Sequence, residues 1–323
     1  MSLPFLQPYF GLSNSLQTAQ GVVGSVVATR GVFAGGFNSS DVVQNVIQYV
    51  TIATLGDAAD FGDLITALAV GAGVCSDTRG VYCGGANDTI NVNIIEYITI
   101  ATTGNSADFG DLTVARQNLA GANSSTRGLI AGGESPEQNV IDYITIATLG
   151  NALDFGDLTS ARRGVTGCNS STRAIFSGGY DGSARVDVID YVTINTTGNA
   201  ADFGDLTSAL YAPTALNSDT RGIIAGGDDG SVRVNVIQYV TIATLGNALD
   251  FGDLIAGKNF SSGINSTTRG IIAGGLTYTN VIQYITIATL GDAADFGDLM
   301  FSGRSLPGVQ NGLWYRRIQK YQY

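Results

Sequence analysis

The string Asp-Phe-Gly-Asp-Leu occurs six times in this chain, starting at residues 60, 108, 154, 202, 250 and 295. The arginine of a Thr-Arg pair keeps step with it at Arg30, Arg79, Arg127, Arg173, Arg221 and Arg269, at intervals of 49, 48, 46, 48 and 48 residues. A fixed period of this size is the signature of a repeat architecture, and it decides the fold before any single residue does. Asp-Phe-Gly also marks the magnesium loop of protein kinases, but such an enzyme has one copy among several other motifs. Six copies make the string a structural marker.

One unit, residues 158–206, parses into four extended segments. The first, near Gly164 to Cys168, is short and rich in small residues, and Asn-Ser-Ser-Thr after it reads as a turn whose side chains bond the backbone. The second, RAIFSGG, ends at paired glycines that permit positive φ or close chain approach. The third, VDVIDYVTI, is β-branched and apolar on both alternating faces, as a strand sandwiched between neighbouring sheets requires. NTTGNA then turns the chain into the fourth, DFGDL. Four antiparallel strands per unit, repeated radially, predict an all-β fold, a six-bladed β-propeller with only short sheet edges exposed.

The predicted organisation is an N-terminal arm over 1–15, a propeller over 16–299 and a C-terminal attachment tail over 300–323. The blades fall at about 16–64, 65–112, 113–158, 159–206, 207–254 and 255–299. Both 17–27 and 301–312 read as an extra first strand, and six blades have six inner positions. The N-terminal segment runs directly into Arg30, so it is expected to fill the place, freeing the C-terminal one.

The double glycine (Gly35 and Gly36 in the first copy), a following tyrosine (Tyr49, Tyr97, Tyr143, Tyr191, Tyr239, Tyr284) and a later aromatic make the pattern resemble the kelch repeat from about Leu16 to Leu299. That aromatic is Phe61, Phe109, Phe155, Phe203, Phe251 or Phe296, where the kelch repeat has tryptophan. The resemblance implies a closed ring serving protein–protein interaction. The fuller wording TRGIIAGG…NVIQYVTIATLGNALDFGDL is similar to repeats in structural and tail-fibre-like proteins of phages, particularly those of marine cyanobacteria. That second resemblance implies a virion component in a multi-copy assembly, located in the virion after assembly in the host cytoplasm.

Comparison among the six copies separates two kinds of turn. Those after the first and third strands are nearly uniform, whereas those after the double glycine and after DFGDL differ in length and chemistry. In an up-and-down blade all the divergent turns lie at one end of the ring. Loops on a rigid scaffold are where binding residues concentrate. The candidate binding-face residues are therefore Asn38, Asp41, Asn87, Asp88, Glu134, Glu137, Tyr180, Asp181, Arg185, Asp228, Asp229, Arg233 and Tyr278. Relaxed selection on exposed loops is the competing reading.

Composition narrows the chemistry. The chain has no histidine, which excludes Ser-His, Cys-His and His-zinc mechanisms. A formal charge of −11 and a pI near 4.3 weigh against a nucleic-acid partner. No apolar run is long enough to span a bilayer. Three cysteines are too few for a disulfide scaffold and read as buried fillers in a reducing compartment. No catalytic residue, cofactor or metal is expected. The alternative for Asp57, Asp60 and Asp63 is a structural calcium site, but the spacing lacks the glycine and bidentate acid of an EF-hand loop. The repeated arginines and aspartates are expected to pair with one another and fix blade geometry.

The sequence closes with LWYRRIQKYQY, an aromatic and basic segment in an acidic chain. Trp, Tyr and Arg are enriched at interface hot spots. Trp314, Tyr315, Arg316 and Arg317 are expected to anchor the ring to its assembly, with the variable face left to bind a neighbouring protein or a host-surface glycan. A cellular protein-interaction module is the second reading and a carbohydrate-active enzyme the third.

Overall fold

A computed structural model describes residues 29–311 with the exception of residue 135. It is an all-β ring of six antiparallel sheets, each with the four strands of a propeller blade and one with Phe37–Asn38 added as a fifth, that is, a six-bladed β-propeller. Blade four shows the local logic. Thr166–Asn169 pairs with Arg173–Ser177, which pairs with Val188–Thr193, which pairs with Ala201–Asp205. The strands stand as the repeat parsing predicts. Cys83 lies opposite Ala72 and not Cys75, and all three cysteines are free and buried.

The ring closes differently from expectation. The inner strand of blade one is Gly308–Gln310, paired antiparallel with Arg30–Ala34 so that Val32 faces Val309. Residues 300–310 therefore belong to the ring and not to a tail. Residues 17–27, expected to fill this place, lie outside the described residues, as do Trp314, Tyr315, Arg316 and Arg317. Val309 supplies the physical reason. It is fully buried and fills the space beside Gly80 of blade two, as Val74, Cys168, Leu216 and Ile264 do beside Gly128, Gly222, Gly270 and Gly31 at other junctions.

The core lies between sheets. Phe61, Ile47 and Val32 of blade one pack with Cys75, Tyr82 and Ile98 of blade two, and the pattern repeats around the ring. The six Asp-Phe-Gly phenylalanines are only 2–3% exposed. Each meets the recurrent tyrosine of its own blade edge-on, with ring centres 6.0–6.3 Å apart. The phenylalanine enters through a bulge. In blade one Gly62 pairs with Ile47 and Asp60 with Gln48, leaving Phe61 as the extra residue, turned inward.

Three circles of hydrogen bonds tie the blades. First, each Thr-Arg guanidinium stacks on its own blade's tyrosine at 4.3–4.7 Å. It also donates at 2.8–3.0 Å to an isoleucine carbonyl of the next blade. The expected pairing of these arginines with the Asp-Phe-Gly-Asp carboxylates does not occur. An arginine held flat on an aromatic ring reaches a carbonyl, while the aspartates sit on the outer strand and are largely exposed.

Second, the uniform turn of one blade covers the outer edge of the preceding one. Gly104 donates to the Phe61 carbonyl and Ser106 to that of Asp63, while the Asp63 N–H donates to Asn105 Oδ1 at 3.0 Å. The glycine of Asp-Phe-Gly makes this possible. Gly62 has φ of +148°, and a Cβ there would strike the Gly104 carbonyl. Asp57, one of the three residues weighed for calcium, is used the same way and accepts from the Asp298 N–H at 3.0 Å. It caps a neighbour's strand, not its own turn.

Third, every third strand carries one fully buried polar residue: Gln48, Glu96, Asp142, Asp190, Gln238 or Gln283. Each accepts, at 2.8–3.2 Å, the N–H of the residue following Asp-Phe-Gly-Asp-Leu in the preceding blade. In two blades a buried arginine completes the site. Arg116 donates to Asp142 at 3.0 Å and to the carbonyls of Gly132 and Ile130, and Arg162 meets Asp190 at 2.5 Å. Leu68, Leu210, Lys258 and Gly303 hold the corresponding place elsewhere, all buried.

Candidate recognition face

The turn after each first strand is fixed by its serine. Ser124 Oγ, for example, accepts from the N–H groups of Thr126 and Arg127 at 3.3 and 3.1 Å. These uniform turns and those after the third strands share one end of the ring, because Arg127 at the first reaches Ile194 at the second. The divergent loops occupy the opposite end. They touch one another through single bridges, Ala69 to Ala86, Gln117 to Glu134, Arg163 to Tyr180, Tyr211 to Asp228 and Asn259 to Leu276. The seam adds Phe37 to Arg304. The predicted separation into a uniform and a variable face is therefore real geometry.

At the centre of the variable face the entry loops form a closed circle of backbone hydrogen bonds. Asn118 donates to Val70, Gly164 to Asn118, Ala212 to Gly164, Phe260 to Ala212, Ser305 to Phe260 and Val70 to Ser305, at 2.8–3.1 Å. All six residues have φ between +51° and +63°. Only one is glycine, although the left-handed region disfavours side chains, valine and phenylalanine above all. The circle rims a central channel of about 140 Å³ walled by the inner strands.

Around this rim the six copies disagree most. Where one blade has Ala69 the others have Gln117, Arg163, Tyr211, Asn259 and Arg304. Glu134 organises one side of it by accepting Gln117 Nε2 at 2.7 Å and Asn118 Nδ2 at 2.8 Å, together with the Arg163 guanidinium. Arg163 lies 5.0 Å from the centre of the Tyr180 ring and 5.9 Å from that of Tyr211. Tyr180, Tyr211 and Phe260 run edge to face, 6.4 and 5.4 Å apart. On the other side Arg304 stacks 4.2 Å from Phe37 and bonds Tyr278 and Asp41.

Most of the sequence-predicted residues brace their own loops or the next. Asn38, Asn87, Asp181 and Asp229 accept N–H groups two to four residues ahead. For Asp181 and Asp229 these bonds hold the carboxylate below its usual range. Asp88 accepts the Val43 N–H of blade one, and Arg185 pairs with Asp228 at 2.6 Å. Glu137 stands 3.7 Å from Arg163, and Tyr278 bonds Asp41 across the seam. Arg233 is exposed and bridges to Asp228. The residues that sequence reasoning missed are Gln117, Asn118, Arg163, Tyr211, Phe260 and Arg304. The signal was present, since the loops after Asp-Phe-Gly-Asp-Leu also diverge, but a loop's sequence does not say which of its residues reaches the channel.

Among the described residues no group of three or more Cys, Asp or Glu side chains converges as a metal site would. Neither protein-family models nor curated proteins give a match to this chain.

Proposed function

We propose that this chain is a non-enzymatic structural protein of a virus particle, a propeller that docks through its uniform side and presents the variable loop face for recognition. A β-propeller suits an interaction module, and the repeat wording resembling phage structural proteins supports the particle. The carrying observation is the polarity of the ring. The first and last described residues lie together at the uniform end, where Asn311 and the Arg30 backbone exchange hydrogen bonds of 3.1 and 2.6 Å. Asn311 thus stands on the face opposite the divergent loops, and attachment from that face leaves those loops free.

Imaging purified particles at subunit resolution tests this reading. The expected map has rings seated by the uniform end with the divergent loops outward, and removal of 313–323 abolishes incorporation. Absence of the protein from purified particles favours the cellular interaction module. Rings seated by their loop face overturn the assignment of faces.

A further inference from the structure

We propose that the half-rim formed by Gln117, Asn118, Arg163, Tyr180, Tyr211 and Phe260 is a binding site for a neutral saccharide. The inference rests on the reading of the variable face as the recognition face, and it adds the site and the ligand class.

The side chains are positioned in advance. Glu134 holds Gln117, Asn118 and Arg163 in place by accepting one hydrogen bond from each, and the amide oxygens Gln117 Oε1 and Asn118 Oδ1 have no donor among the described residues. The hydroxyls of Tyr180 and Tyr211 likewise have no partner there, and both residues are only partly buried. Fixed acceptors thus stand beside phenols that both donate and accept, which is what vicinal hydroxyls require. The aromatic rings provide apolar surface for the C–H face of a pyranose. Gly164 allows this arrangement, because a Cβ there would strike the Tyr211 ring.

Two observations favour a neutral saccharide over other ligands, and a third marks the rim as a functional place. The single cation of the half-rim, Arg163, faces two carboxylates, Glu134 and Glu137, so the local excess of negative charge repels an anion. A peptide added as a strand needs a free sheet edge, and the outer edges are covered by neighbouring turns. Finally, five of the six rim residues carry side chains in the left-handed region, where strain persists at sites the surrounding structure over-determines. A closed ring alone has no need of six different residues there.

The experiment screens the full chain against immobilised neutral and sulfated oligosaccharides and titrates the best neutral one by calorimetry. Expected is binding that Tyr211→Ala and Asn118→Ala each weaken at least about tenfold. Leu149→Ser, an exposed change on the uniform side, leaves it unchanged. Asn118→Ala is the mild variant, so a folding defect in Tyr211→Ala does not blunt the test. No binding of any neutral oligosaccharide, binding confined to sulfated ones, or equal binding by both variants overturns the proposal. If saccharide binding fails while particles still carry the loops outward, only the ligand inference falls. If the particle map also reverses the faces, the underlying reading falls with it.

Discussion

Arg269 donates to the carbonyl of Ile52 at 2.8 Å, joining the last blade to the first across 217 residues of sequence. The same bond recurs at the five other junctions, so the seam is chemically equivalent to them. Arg127→Met removes one such bond together with its stacking on Tyr143. A loss of about 1.5 to 3 kcal/mol is expected from urea unfolding. Arg127→Lys is expected to recover only part of it, because a lysine lacks the planar group that stacks and donates at once. Full recovery by lysine shows that charge alone matters.

Phe155 is 2% exposed and fills the bulge between blades three and four. Phe155→Ala is expected to destabilise by about 3 to 5 kcal/mol, measured by denaturant midpoint at constant m. A change near zero contradicts the burial.

The Arg116–Asp142 pair is wholly buried. Asp142→Leu alone leaves a guanidinium without its anion and is expected to cost about 3 to 5 kcal/mol. The double variant Arg116→Leu, Asp142→Gln reproduces the Leu210 and Gln238 combination of blade five and is expected to recover most of that loss. A double variant as damaged as the single one shows that the two blades are not interchangeable.

Lys258 occupies the same place with no carboxylate opposite, is 4% exposed, and burial pulls its ammonium from 10.5 down to about 8. Below about pH 8 both folded and unfolded chains carry the charge and the folded chain bears the full penalty. Between about 8 and 10.5 the unfolded chain holds a proton that the folded one has released, so this group's contribution to stability rises with pH. Lys258→Met is therefore expected to stabilise by up to about 3 kcal/mol at pH 7. The gain should shrink towards pH 10.5 when unfolding is compared across pH. An equal gain at both ends rules out burial of the charge as its cause.

Val309 places the closing strand under test. Val309→Asp puts a carboxylate where the side chain is now fully buried against blade two. Loss of cooperative unfolding is expected. Deletion of 312–323 removes no described strand and is expected to leave the unfolding midpoint in place. The reverse pattern returns ring closure to the N-terminal segment.

The blade was legible because its determinants are local. Double glycines, β-branched third strands and Asn-Ser turns each act within a few residues, and all six phenylalanines stood out as the recurrent aromatic of the fourth strand. What escaped reading acts between blades. Arg127 was expected to find an aspartate, yet the nearest suitable acceptor is a main-chain carbonyl 67 residues on, and no side chain advertises a carbonyl. The polar residue in VIDYV sits in a strand read as apolar on both faces, although it is the point where one blade grips the loop before it. The choice of closing strand turned on Val309 filling space beside Gly80, a fit invisible in segments of similar composition. The rim residues escaped for the same reason, since Gly164 and Tyr211 meet only once the ring has closed.

Placing the final strand beside the first also orders events during synthesis. Arg30–Ala34 is translated early, whereas its inner partner Gly308–Gln310 follows only after the other five blades. A growing chain therefore carries blade one with an unpaired inner margin throughout elongation. A ribosome stalled anywhere before residue 308 holds an open arc with an adhesive strand at its beginning. The last few residues of the ring decide when that exposure ends.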